Sequence, residues 1–398
     1  MNDNGHALRI LIRPDAGVLK RAALAALTLR VVTLRVVAFL VVALLVPVSA
    51  SLLAASPLAA KEKPPAARQA EKPPQTPPDK IRLLLARPVD ATALPLLDAQ
   101  AQGTFRAGNL DVAITPGTSD EETLLQIGRG LFDVGIVDFA ALIRYRAQVD
   151  GKTDKGNKSE PSSVKAIAVI FNRSAHAIVA RKSRGIASFK DLAGKKLGLT
   201  GDDSLNLQWP ALARLSELNP SSVTIERISP AVREPLLSAG QIDAVTALTY
   251  RTPIDIKDRG VPADDLIVLK AADAGYPLYG DVIVVSPGFA DGHADSLRRF
   301  LVAYQRGLSD AIRKPAPALD ALRLSDKSAR ELELARWKAI VADNIAPHAP
   351  RDNGFGDASD ERLQESIALV LDTKSPKLQA RDLFNRSFLP PPNGAKVR

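Results

Sequence analysis

Leu124-Leu125-Gln126-Ile127-Gly128-Arg129-Gly130-Leu131-Phe132-Asp133-Val134 and Leu236-Leu237-Ser238-Ala239-Gly240-Gln241-Ile242-Asp243-Ala244 share one grammar. In each, an amphipathic run ends at glycine, and an aspartate then opens an apolar run. Glycine tolerates the left-handed backbone that closes a helix. A short apolar run bounded by turn residues reads as a buried strand. The same helix–glycine–strand unit therefore occurs twice, which predicts two similar α/β halves with a cleft between them.

The surrounding pattern agrees. Residues 81–86 read as a strand, 94–102 as a helix and 110–114 as a second strand. Ser119 opens the next helix, with Glu122 three residues on as a capping box. A third strand covers 133–137 and ends at Asp138. The polar stretch 150–163 reads as a surface loop, and 164–170 as another strand. The second half repeats the alternation: a short helix at 188–192, strands at 195–199, 223–228 and 243–247, and helices at 205–218 and 231–239. A strand at 282–285 and a long helix at 294–312 follow, and the tail from Asp326 is mostly helical. Strands alternating with helices predict mixed sheets flanked by helices.

The N-terminal eighty residues differ in kind. Residues 36–46 are apolar throughout, a run short for a membrane span but suited to a signal-peptide core. Arg30 and Arg35 precede it, and small residues follow at Val48-Ser49-Ala50 and Leu58-Ala59-Ala60. Residues 1–60 are expected to be a signal peptide or an uncleaved anchor. Residues 61–79, rich in Pro, Lys, Glu and Gln, read as a disordered linker.

Composition narrows the function. The net charge is +9, but residues 1–80 hold most of it. No basic stripe with interleaved aromatics exists, so nucleic acid is not an expected partner. The 398 residues contain no cysteine, which excludes thiolate metal sites, Cys nucleophiles and a lipid-anchored export signal. The four histidines, His6, His176, His293 and His348, have no metal-ligand spacing, so no metal or cofactor is expected.

Ile186-Ala187-Ser188-Phe189-Lys190-Asp191-Leu192-Ala193-Gly194-Lys195-Lys196-Leu197-Gly198, with the strand before it and Trp209 after it, carries a family resemblance. Residues 132–141 and 276–280 add to it. Over roughly residues 80–325 the chain resembles the periplasmic solute-binding proteins of ABC import systems for nitrate, sulfonates, taurine and thiamine or riboflavin precursors. The resemblance implies a type II fold with crossovers near 171–177 and 276–283. It places 80–175 with 281–325 in lobe I and 176–280 in lobe II, and 326–398 is expected to pack on lobe I. It implies a captured small molecule, a permease and an ATPase as partners, and a periplasmic location. The thiamine-pyrimidine synthases resemble the same family but depend on a cysteine-rich segment and a histidine. With no cysteine present, the expectation is that the chain is not an enzyme. A membrane-tethered sensing module is the first rival, and an enzyme on the same fold is the second.

Strand-end loops supply the candidate contacts. Thr118 and Ser119 sit at a helix start with free N–H groups. Asp138 can accept from a ligand amine, and Phe139 can stack on a ring. Asp202, Asp203 and Ser204 form the turn before the helix at 205. The two aspartates there disfavour an oxyanion and favour a neutral or cationic ligand, such as a nitrogen heterocycle. Thr249 and Tyr250 end a strand, and Asp273, Tyr276 and Tyr279 lie at the second crossover, where tyrosines can stack and hydrogen-bond.

Overall fold

The computed structural model describes residues 77–152, 164–201, 204–345, 354–373 and 377–391. The leader, the linker and the Asp202–Asp203 pair lie outside them. Ten strands run β1 Asp79–Leu85, β2 Leu110–Thr115, β3 Val134–Asp138, β4 Lys165–Val169, β5 His176–Arg181, β6 Lys196–Thr200, β7 Thr224–Ile228, β8 Ala244–Leu248, β9 Leu266–Lys270 and β10 Asp281–Val285. The principal helices are α1 Leu94–Ala101, α2 Asp120–Gly128, α3 Phe139–Lys152, α4 Leu205–Leu215, α5 Arg233–Ser238, α6 Ala294–Arg313, α7 Lys327–Ile340 and α8 Asp360–Val370. Among the described residues, no helix is long and apolar enough to cross a membrane.

The strands form two five-stranded sheets with the same plan, β2-β1-β3-β10-β4 and β7-β6-β8-β5-β9. In each, three parallel strands come from consecutive β–α units, and a fourth strand joins antiparallel. The first sheet takes its antiparallel strand, β10, from beyond the second, which is built entirely from the consecutive strands β5 to β9. Two lobes follow, joined where β4 leads to β5 and where β9 leads to β10.

The repeated sequence grammar has a structural cause. Asp133 accepts from the backbone N–H of Arg82 at 2.8 Å, and its own N–H donates to Arg82 O at 2.9 Å. Asp243 does the same with Lys196, at 2.9 and 3.0 Å. Each aspartate therefore ties the start of its strand to the first strand of its own unit. Gly130 and Gly240 both close their helices in the left-handed region, at φ 71° and 68°.

The core is mainly aliphatic, with buried aromatic side chains filling its larger gaps. In lobe I, α6 packs along α1, and Gly307 permits the contact, since a Cβ there would lie 2.2 Å from Pro95 O. Stacked Phe105 and Phe300 extend this layer. Trp337 of α7 is buried and donates from Nε1 to Ala311 O at 2.9 Å.

Three features were not read from the sequence. Strands β5 and β9 were not among the predicted strands; the burial of β9 is mixed rather than alternating. Helix α3 begins directly at the end of β3, with no loop to mark it. The segment at 189–192 is a 3-10 turn, closed by a reciprocal cap between Ser188 and Asp191.

Candidate functional site

A cavity of about 360 Å³ lies between the lobes, within the usual range for a small-ligand site. Its walls are the carboxyl ends of strands from both sheets, where open α/β sheets place ligands. Lobe I contributes Arg87 after β1, Thr118, Ser119 and Asp120 at the start of α2, Asp138 at the end of β3, and Arg144 from α3. Lobe II contributes Ser204 and Leu207 at the start of α4, Arg233 of α5, and Tyr250 and Arg251 after β8. Phe171, His176 and Asp281 come from the ends of the two connections between lobes. Gly117 lets the β2–α2 loop approach β1, for a Cβ there would lie 2.0 Å from Leu85 O.

The polar groups are cross-linked in a defined way. Arg87 grips Asp281 through two N–H···O bonds of 3.2 and 3.1 Å, and donates to Tyr250 Oη at 2.9 Å. Tyr250 stands edge-on to Phe171. Arg251 pairs with Asp90, which is held by Thr92. Asp138 accepts from Ser204 Oγ at 3.0 Å, and its other oxygen lies 3.5 Å from His176 Nε2. Arg144 donates to the same Ser204 hydroxyl at 3.2 Å. Asp120 accepts from the Asp138 backbone N–H at 2.8 Å and so fixes the start of α2 to the end of β3.

Three carboxylates share this space and titrate apart. Burial pushes Asp120 up to about 7; Arg87 opposes this and the Asp138 charge adds to it. Burial also acts to raise Asp138, but bonds and charge from His176, with Arg144 and Ser204, hold it below the ordinary carboxylate value. Asp281 is raised by burial against the pull of Arg87. Near neutral pH the cleft can therefore offer both a carboxylate acceptor, Asp138, and a carboxyl donor, Asp120.

This gives a pH prediction. An acid with a raised folded-state pKa keeps a proton that the unfolded chain has released. Its contribution to stability is greatest below its unfolded value of 3.8 and is lost as pH rises towards about 7. Asp138, with a lowered pKa, acts oppositely and loses its contribution as pH falls through the acid range. Asp120→Asn, which keeps the acceptor for Asp138 N–H, is expected to flatten the decline in stability between pH 4 and 7. Urea unfolding across that range checks it. Part of the slope should persist, because burial raises Asp98 to about 6. An unchanged slope would contradict the assignment.

The candidates read from the sequence separate into groups. Thr118, Ser119, Asp138, Ser204 and Tyr250 line the cavity. Five others do not. Phe139 is turned into the core, edge-on to Tyr279. Thr249 is buried and donates to Asn344 Oδ1 at 3.1 Å. Asp273 is exposed and pairs with Arg173. Tyr276 borders a separate depression behind the second connection. Tyr279 accepts from Ser359 N–H at 3.0 Å and carries Arg362 over its ring. Asp202 and Asp203 are outside the described residues. Sequence reading missed Arg144, Arg233, Phe171 and Asp281. Asp281 was the most accessible of these, because it opens an apolar run as Asp133 and Asp243 do.

Comparison with known proteins extends this picture. The periplasmic aliphatic sulphonate binding protein SsuA of Escherichia coli superposes with a TM-score of 0.59 at 13% identity, covering 77% of this chain and 91% of that one. At that identity the likeness shows the fold, two α/β lobes of the periplasmic-binding-protein type. The riboflavin-binding protein RibY of Chloroflexus aurantiacus is 25% identical over 159 residues, 39% of this chain and 44% of that protein. The 4-amino-5-hydroxymethyl-2-methylpyrimidine phosphate synthase of Schizosaccharomyces pombe is 24% identical over 230 residues, 56% of this chain. The match spans 62% of that relative's length. Its name is an enzyme's, and it overturns the expectation, drawn from the missing cysteines, that this chain stands apart from enzymes. The family described as NMT1/THI5 like matches residues 91–318, more than half of the sequence. The chain belongs to the NMT1/THI5-like family.

Proposed function

We propose that the chain is the substrate-binding component of an ABC-type importer and captures a small nitrogen heterocycle, of thiamine- or riboflavin-precursor type, between its lobes. The observation that carries this is the lining of the cleft. Strand ends of both sheets meet there, and the cavity presents both donors and acceptors held in place by hydrogen bonds between its walls. A flat ring bearing both amino and acceptor edges suits Asp138, Ser204 and Tyr250 with Arg87 and Asp120. In this reading the lobe boundaries fall at 175/176 and 280/281, the protein is exported, and a permease and an ATPase receive the ligand. The fold neighbours among import-system binding proteins support that placement.

The relatives' names favour a second reading, in which the same cleft does chemistry on a pyrimidine precursor. His176 beside Asp138 is the titratable pair positioned for proton movement there. The two readings differ in outcome. A binder holds one ligand per chain and releases it unchanged; a synthase releases a new product.

Thermal unfolding of the purified full chain against pyrimidines, flavin precursors, sulfonates, nitrate and amines tests the proposal. A ligand at a hundredfold excess over Kd is expected to stabilise the fold by about 2.7 kcal/mol. Mass spectrometry of the released ligand then separates capture from turnover. Selective stabilisation by sulfonates or nitrate would contradict the heterocycle assignment, and no stabilisation by any class would contradict capture.

A further inference from the structure

The C-terminal segment lies beyond residue 318, where the family match ends. It is attached to lobe I at the outer edge of its sheet. Asn385 N–H donates to Ala166 O at 2.9 Å, and Val169 N–H donates to Gly356 O at 2.7 Å. Phe384 bridges Ala166 in parallel, so the segment also covers an edge strand that would otherwise be open.

From that anchorage it reaches both connections between the lobes. Arg362 of α8 inserts its guanidinium between them. Nη2 donates to Asn172 O at 2.6 Å in the first connection, residues 170–175, and Nη1 contacts Asn172 Oδ1 at 3.4 Å. Nε donates to Pro277 O at 2.6 Å and Nη2 to Leu278 O at 3.1 Å in the second, residues 271–280. The guanidinium also lies 3.9 Å over the Tyr279 ring. The planar fork of arginine presents donors on three nitrogens to carbonyls of both connections at once; the lysine ammonium has its three donors on a single nitrogen and does not match that spread.

The segment touches lobe II as well. Arg336 of α7 bonds Asp255 at 2.7 Å, and Glu333, with which it pairs, accepts from the N–H of Ala91 in lobe I at 2.7 Å. Lys270, at the end of β9, pairs with Asp343. Asn344 accepts from Thr249 of lobe II and is bonded to Arg173 of the first connection.

We infer that the described parts of the C-terminal segment, 326–345, 354–373 and 377–391, form a hinge brace: anchored on lobe I, they grip both connections and lobe II, and Arg362 is the positioning residue that sets how far the lobes swing apart. Hinge closure concentrates its backbone rotation in a few connecting residues. Fixing their carbonyls restricts that rotation. The consequence for ligand affinity rests on the cleft assignment above; the restriction itself does not.

The test compares the full chain with its Arg362→Ala and Arg362→Lys variants. Hydrogen exchange at 170–175 and 271–280 is expected to accelerate about tenfold or more in both, because charged hydrogen bonds are lost, while β1 and β6 stay protected. Spin labels at Glu122→Cys and Pro210→Cys report the spacing of the lobes, and the chain has no native thiol to interfere. Their distance distribution is expected to broaden in both Arg362 variants. Loss of α8 packing alone would lower the melting temperature without broadening it. If Arg362→Ala fails to fold, Tyr279→Phe, which removes the acceptor for Ser359 N–H and the phenol oxygen beside Arg362, should loosen the second connection. Unchanged exchange and unchanged spacing in the folded variants would overturn the brace. Because neither readout needs a ligand, failure of the ligand panel leaves this test intact.

Discussion

Asp281→Ala is expected to lower folding stability by about 3–5 kcal/mol, the range for breaking a buried ion pair on one side. Arg87 would keep its charge in the cleft wall, hydrogen-bonded to the Tyr250 hydroxyl and with only the more distant Asp120 and Asp90 to offset it. Removing the carboxylate also leaves two guanidinium donors unmatched. The double variant Arg87→Met/Asp281→Leu removes the charge with its counter-charge and should regain most of the loss. Denaturant unfolding of the three proteins checks this. The double variant is also expected to bind no heterocycle, since it erases the floor of the cavity. A fold that recovers while binding does not would separate the pair's structural role from its role at the site. A loss below about 1 kcal/mol for Asp281→Ala would mean the pair is solvated like an ordinary surface contact.

Trp337→Ala is expected to cost about 3–5 kcal/mol, as for other large-to-small changes at buried aromatics. The side chain is 2% exposed and sits in α7, among the core residues of lobe I. Its indole N–H donates to Ala311 O at the end of α6. Truncation opens a cavity and leaves that carbonyl unpaired. Trp337→Phe should cost less, because it refills most of the volume and forfeits mainly the hydrogen bond. Urea midpoints distinguish them. If both variants unfold like the parent, the C-terminal segment is not part of the cooperative unit, and the brace loses its mechanical basis.

The two-lobed architecture was legible because it is written twice. Asp133 and Asp243 each clamp a neighbouring strand, and Gly130 and Gly240 each close a helix in a conformation that other residues resist. These are local requirements, so they leave a local mark. The cleft was legible only at its strand ends. Thr118, Ser119, Asp138, Ser204 and Tyr250 follow strands directly, and the strand-end rule finds them. Direction was not legible. Phe139 and Tyr279 also follow or precede strands, but they meet each other in the core, a contact between positions 140 residues apart that no local pattern records. Arg144 and Arg233 reach the cleft from inside helices, where a charged residue reads as an ordinary solvated face. Arg362 was invisible for another reason. Its partners are backbone carbonyls, which every residue has.

The +9 charge and missing cysteines narrowed function less than they promised. The charge belongs mostly to residues 1–76, outside the described residues. The cysteine count argued against an enzyme, yet a relative matching 56% of the chain carries a synthase's name. Composition excludes particular chemistries, such as thiolate ligation, but it does not exclude catalysis by the His176–Asp138 pair.

The central claim is that a small molecule occupies the interlobe cavity and draws the lobes together. Pulsed electron paramagnetic resonance on the Glu122→Cys/Pro210→Cys chain tests it most directly, with and without the pyrimidine or flavin precursor that stabilises the protein most. Ligand is expected to shorten the mean distance and narrow its distribution, and adding Arg87→Met/Asp281→Leu should abolish both changes. A bound ligand that leaves the distance unchanged, or one that shortens it equally in the cavity variant, would contradict capture at this site.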